Sequence, residues 1–132
     1  MRYMLMMHAP RGTGDWAVMN WAPEDFRAHI QFMMRLNEDL KQSGELVSAQ
    51  GLAMPAEARV VRAGAAGEPV VTDGPFAEAK EFLAGYWIVD VEKTERAYAI
   101  AAKASSAPGK GGVPLDMAIE VRQVMSVPPV DG

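Results

Sequence analysis

Gly85-Tyr86-Trp87-Ile88-Val89-Asp90-Val91 is the stretch on which the fold turns. Aromatic and β-branched residues fill it, and such side chains suit a pleated backbone. Tyr86 and Ile88 share one face of the strand, and Trp87, Val89 and Val91 share the other, so both faces are apolar. Upstream, Arg59-Val60-Val61-Arg62, a Gly/Ala turn and Pro69-Val70-Val71-Thr72 read as a hairpin. Downstream, Lys93 to Ala104 carries Ala97, Ile100 and Ala101 at helical spacing.

The pattern continues outward. Glu45 to Leu52 reads as a strand weakened by Gly51, and Met117 to Val124 as another. Pro23 opens a helix whose first turn holds Glu24 and Asp25, and Gly44 closes it at the C′ position. Phe26, Ile30, Met33, Leu36 and Leu40 form its apolar stripe. Residues 2 to 8 give an opening strand with Tyr3, Leu5 and Met7 on one face and Met4, Met6 and His8 on the other. A loop bearing Asp15, Trp16 and Trp21 joins that strand to the helix, and the Gly/Pro/Ser-rich stretch Ser105 to Pro114 reads as a second loop.

The order is β-α-β, an inserted hairpin, then β-α-β, which predicts an α+β domain of ferredoxin-like (split βαβ) type over 1–126, with 127–132 as a frayed tail. Two helices cover one face of such a sheet. The second face is also apolar, and the economical cover is another copy, so a homodimer packed sheet to sheet is expected.

Composition narrows the function classes. A net charge of −4 without a local Lys/Arg cluster argues against nucleic acid as a partner. The absence of cysteine removes disulfides, thiolate nucleophiles and Cys-based metal sites, and fits a reducing cytoplasm. No run approaches a membrane span, and the N-terminus lacks the apolar stretch and cleavage site of a signal peptide. The ten methionines serve first as gap fillers, the alternative being a Met-lined ligand surface.

Three places can carry chemistry. His29 lies at the edge of the apolar stripe, with Asn37 two turns on, and can act as a general acid or base or simply pack as a core histidine bonded to a backbone carbonyl. His8 ends the first strand, but no His-x-x-x-His pair or other ligand spacing accompanies it, so no metal site is assigned. The run Thr72 to Glu81 concentrates Asp73, Glu78, Lys80 and Glu81 between Phe76 and Phe82, where carboxylates near aromatic rings can act as acids or bases or decorate a solvated loop. Glu120 and Arg122 share a face of the last strand; if that face is interfacial, Arg122 can grip an anionic substrate, and if it is open, the two are an ordinary solvent-facing pair. No phosphate-binding glycine loop or nucleophile elbow is present.

Asp73-Gly74-Pro75-Phe76-Ala77-Glu78-Ala79-Lys80-Glu81, with Gly85-Tyr86, Gly51-Leu52, Ile119-Glu120-Val121-Arg122 and the opening Arg2-Tyr3-Met4-Leu5, resembles the YCII-related family and its DGPF-containing members. The resemblance implies a dimeric α/β barrel of ferredoxin-like units and a small-molecule lyase, isomerase or hydrolase using a His–Asp pair. Within that pair His29 matches the helical histidine. The matching aspartate belongs in the loop after the second helix, where this chain has Ser105-Ser106-Ala107-Pro108, so either Asp73 replaces it or the pair is absent. Ala79 and Gln123 stand where those proteins usually carry Thr and Pro. The resemblance also implies an alternative, a non-catalytic ligand-binding or regulatory module of the kind associated with sigma factors. No cofactor is assigned.

Overall fold

The computed structural model describes residues 1–10, 21–75 and 80–126. The loop bearing Asp15 and Trp16, the residues Phe76, Glu78 and Ala79, and the tail 127–132 lie outside the described residues. Strand β1 (Arg2–Pro10) leads to helix α1 (Pro23–Gln42) and strand β2 (Leu46–Gly51). A hairpin of β3 (Arg59–Ala63) and β4 (Pro69–Asp73) precedes β5 (Glu81–Asp90), helix α2 (Thr94–Ser105) and β6 (Ile119–Gln123).

The main sheet is antiparallel, in the order β2-β5-β1-β6. This α+β topology is compatible with a ferredoxin-like fold, and the sheet of the single chain is open, not a closed barrel. The hairpin forms a separate two-stranded ladder with Val61 opposite Val71 and Arg59 opposite Asp73. It extends the β2–β5 connection without joining the main sheet.

Alternation sorts the strand residues as their spacing requires. Tyr3, Leu5, Trp87, Val89 and Val91 are buried beneath the helices, together with Leu36 and Leu40 of α1 and Ala97, Ile100, Ala101 and Ala104 of α2. Alanine at three of these four α2 positions lets that helix lie close to the sheet. Met4, Met6, Tyr86 and Ile88 turn to the other face, where Met4 pairs with Ile88 and Met6 with Tyr86.

Three details depart from the sequence expectation. Strand β5 starts at Glu81, four residues before Gly85, because a register shift between Met7 and His8 lets the ladder continue through a bulge to Pro10 opposite Glu81. In the α1 stripe, Leu36 and Leu40 are buried, whereas Phe26 and Ile30 are 41% and 39% exposed. The stretch after α2 is more ordered than a plain loop: Pro108 bridges Pro114, Gly109 N–H donates to Val113 O at 2.8 Å, and Leu115 N–H donates to Ala107 O at 2.9 Å. Gly111 and Gly112 supply its left-handed backbone, at φ 67° and 77°.

A cavity between the first helix and the sheet

The C-terminal half of α1 is packed onto the sheet by Leu36 and Leu40, and toward its N-terminus the space beneath the helix is a cavity of about 350 Å³. That is large enough for a small organic molecule. From α1 come His29, Ile30, Met33 and Asn37, and from the sheet Met7, Ala49, Gly85 and Trp87. Trp21 precedes the helix, Leu115 and Met117 precede β6, and Leu52 and Met54 follow β2. Ile30 thus belongs to the cavity wall, which explains why the stripe is incompletely buried there. Four methionines, Met7, Met33, Met54 and Met117, line the space. Met7 and Met33 also pack against the core cluster, so these methionines fill gaps and line the cavity at once.

Two bonds anchor the N-terminal half of α1 to the segment after α2. Asp25 Oδ2 accepts from Gly111 N–H at 2.9 Å, and His29 Nδ1 lies 3.0 Å from Pro108 O. A carbonyl oxygen can only accept, so His29 carries its proton on Nδ1 in this contact. In the neutral imidazole Nε2 is then a lone-pair acceptor, and it has no partner among the described residues. The Trp21 ring meets His29 edge-on, with centroids 5.4 Å apart at 76°. A similar deduction fixes Asn37. Trp87 Nε1 can only donate, and it reaches Asn37 Oδ1 at 2.7 Å. The Asn37 amide nitrogen therefore keeps both N–H groups for other partners.

The other candidate residues lie elsewhere. Asp73 ends the hairpin, its carboxylate 96% exposed and 3.7 Å from Arg59 Nε. Beside it Gly74 N–H donates to Ala58 O at 2.9 Å, closing the base of the hairpin. The structure does not bring Asp73 and His29 into a hydrogen bond. Lys80 and Glu81 are exposed at the start of β5 and are not cavity residues. Glu78 lies outside the described residues. Arg122 and Glu120 lie on the open sheet face, opposite Met4 and Met6 of β1. Glu120 Oε1 takes a hydrogen bond from His8 Nε2 at 2.9 Å instead of pairing with Arg122. Among the described residues no group of three His, Cys, Asp or Glu side chains could hold a metal ion, and no helix is long and apolar enough to cross a membrane.

The protein-family model for the YCII-related domain matches residues 1–113, from β1 through α2 and into the segment that carries Pro108. The chain belongs to the YCII-related family. It is also 30% identical over 103 residues to an uncharacterized protein, R00369, of Rhizobium meliloti (strain 1021), covering 77% of this chain and 82% of that one. The segment after α2 supplies a backbone carbonyl, Pro108 O, and that carbonyl holds His29.

The sequence pattern points to His29 and Asn37 and allows His29 a backbone carbonyl partner, but it does not identify Pro108, Trp87 or Trp21. A backbone carbonyl has no residue-type signature, and the bond to His29 spans 79 residues.

Proposed function

We propose that this YCII-related protein binds a small molecule between α1 and the sheet and that His29 moves a proton on it, as in lyase, isomerase or hydrolase chemistry. The observation that carries this is His29 itself: half-buried on the cavity wall, with Nδ1–H spent on Pro108 O and Nε2 left as an acceptor. Holding one ring nitrogen in a fixed tautomer and presenting the other to a substrate is how enzymes use histidine as a general base. Pro108 O takes the orienting role, and Asp73 acts at the base of the hairpin. A carbonyl dipole offers an imidazolium less stabilisation than a carboxylate does, so proton transfer here suits an already acidic C–H or O–H group.

The protein acts as a homodimer through its open sheet face, in a cytoplasmic setting consistent with its lack of cysteine. Arg122 then belongs to the contact between copies, and the ligand is held by the cavity. Support comes from the apolar character of Met4, Met6, Tyr86 and Ile88 on that face.

The test is a thermal-shift screen of small cyclic ketones, esters and lactones, with each stabilising compound followed by mass spectrometry. A compound that raises Tm is expected to be consumed by the wild type and to persist with His29→Gln. Asp73→Asn leaves both behaviours unchanged. A compound that stabilises the protein yet is never altered favours the non-catalytic binding module instead.

A further inference from the structure

The cavity carries more information about its ligand than its size. None of the described lining residues is Asp, Glu, Lys or Arg, so with His29 neutral they offer a carboxylate or phosphate no compensating charge. Burying an unpaired charge among methionines and indoles is strongly unfavourable. The walls are instead suited to a flat hydrocarbon, since Trp21 and Trp87 present ring surfaces and thioethers pack well against aromatic edges.

Gln50 and Tyr86 also border the space, but they are paired on the strand positions that face the open side of the sheet, so against this apolar lining stand two polar side chains of opposite sense from α1. His29 offers an acceptor at Nε2, and Asn37 offers its amide N–H groups because Trp87 holds Oδ1. Eight residues separate them on one helix, roughly 12 Å of axial distance at 1.5 Å per residue. Two polar groups that far apart match the two ends of an elongated molecule better than one functional group.

Resting on the proposed function of the same site, we infer that the ligand is an uncharged, elongated ring compound, with a hydroxyl donor at one end bonded to His29 Nε2 and a carbonyl acceptor at the other bonded to Asn37. The hydroxyl is then the group whose proton His29 takes. Deprotonation places the electron pair on the ligand oxygen and the proton on Nε2, with no co-reactant needed.

Quenching of the cavity tryptophans by three matched naphthalenes tests this: 6-hydroxy-2-acetylnaphthalene, its 6-methoxy analogue, and 6-hydroxy-2-naphthoate. The hydroxy-ketone is expected to bind saturably, and Ala49→Phe, which fills the cavity, to abolish that binding. Loss of one neutral hydrogen bond should weaken the methoxy analogue by roughly 2- to 12-fold, and His29→Phe should erase the difference between the two ketones. The naphthoate should bind at least about tenfold more weakly than the ketone because its charge goes uncompensated. Naphthoate binding as tightly as the ketone overturns the ligand class and leaves the cavity as a binding site. An undiminished hydroxy-to-methoxy ratio in His29→Phe overturns the assigned orientation. Failure of all three compounds to bind saturably, with circular dichroism confirming the fold, overturns the cavity itself as the ligand site.

Discussion

Glu45 joins three elements through one side chain and one peptide unit. Its carboxylate receives Arg96 Nε and Nη2 of α2, each at 2.8 Å, and the Ser43 hydroxyl at 2.8 Å. Its carbonyl accepts Asp90 N–H from the end of β5 at 2.8 Å, and its own N–H donates to Leu40 O of α1 at 2.9 Å. The hydrogen bonds from Arg96 hold the Glu45 carboxyl below the ordinary glutamate range, burial opposes them, and Ser43 adds to the lowering. A carboxyl whose folded pKa is depressed stabilises the protein above its unfolded value of about 4.3 and loses that contribution as pH falls through the folded value. Glu45→Gln should therefore cost on the order of 1 kcal/mol at pH 7, modest because half of the Arg96 side chain is in solvent. The gap to the wild type should close as pH falls from about 5 to below the depressed folded value. Urea denaturation of both proteins at the two ends of that window measures it, and a gap that persists at the acid end would show that the ion pair is not its source. The sequence placed Glu45 only as the first residue of a strand, since its partner lies 51 residues away.

At the scale of elements the order of strands and helices was legible because the patterns that encode it are local. Pro23 with Glu24 and Asp25, the Leu36 and Leu40 spacing, Gly44 at φ 81°, and the alternation through Trp87 and Val89 each sit within a few residues. What local pattern could not reveal is where helix and sheet part. The same stripe that buries Leu40 leaves Ile30 over a cavity, and nothing in the spacing distinguishes the two. Gly85 is a second such case. The pattern marks it as a strand start, but it lies inside β5, where a Cβ would come within 2.9 Å of Gln50 O on β2. Backbone of a paired strand cannot swing aside like a side-chain tip. Gly85→Ala should therefore destabilise the protein by about 1–3 kcal/mol, outweighing the entropic gain of roughly 0.4–1 kcal/mol that an alanine brings where it fits. Amide exchange should quicken first along β2. Equal or greater stability in the alanine variant would show that β2 yields at Gln50.

For the whole molecule the decisive quantity is the apolar surface that two helices cannot cover. One face of the sheet is closed by Leu36, Leu40, Ile100 and their neighbours. The other presents Met4, Met6, Tyr86 and Ile88 as a block across the two central strands, with His8 and Glu120 joined by a hydrogen bond nearby. This much was legible, because apolar residues on both sides of a strand show in the sequence whatever covers them. The identity of the cover is not written in any one chain's pattern. A second copy brings the same block to the contact, and a two-fold axis can set Met and Ile against Met and Ile. A stable association of this kind needs roughly 800 Å² from each partner, more than four side chains supply, so in such a dimer Arg122 and Glu120 of β6 would enter the contact too. Light scattering on the eluting peak should then give twice the chain mass of 14.3 kDa at micromolar concentration. Met6→Glu places a carboxylate in the middle of the block, where the symmetry sets it near its own copy and burial leaves it unpaired. That variant should elute as a monomer with its circular dichroism intact. A wild type that runs at one chain mass, or a Met6→Glu protein that still runs at two, would mean that the open face is not where two copies meet.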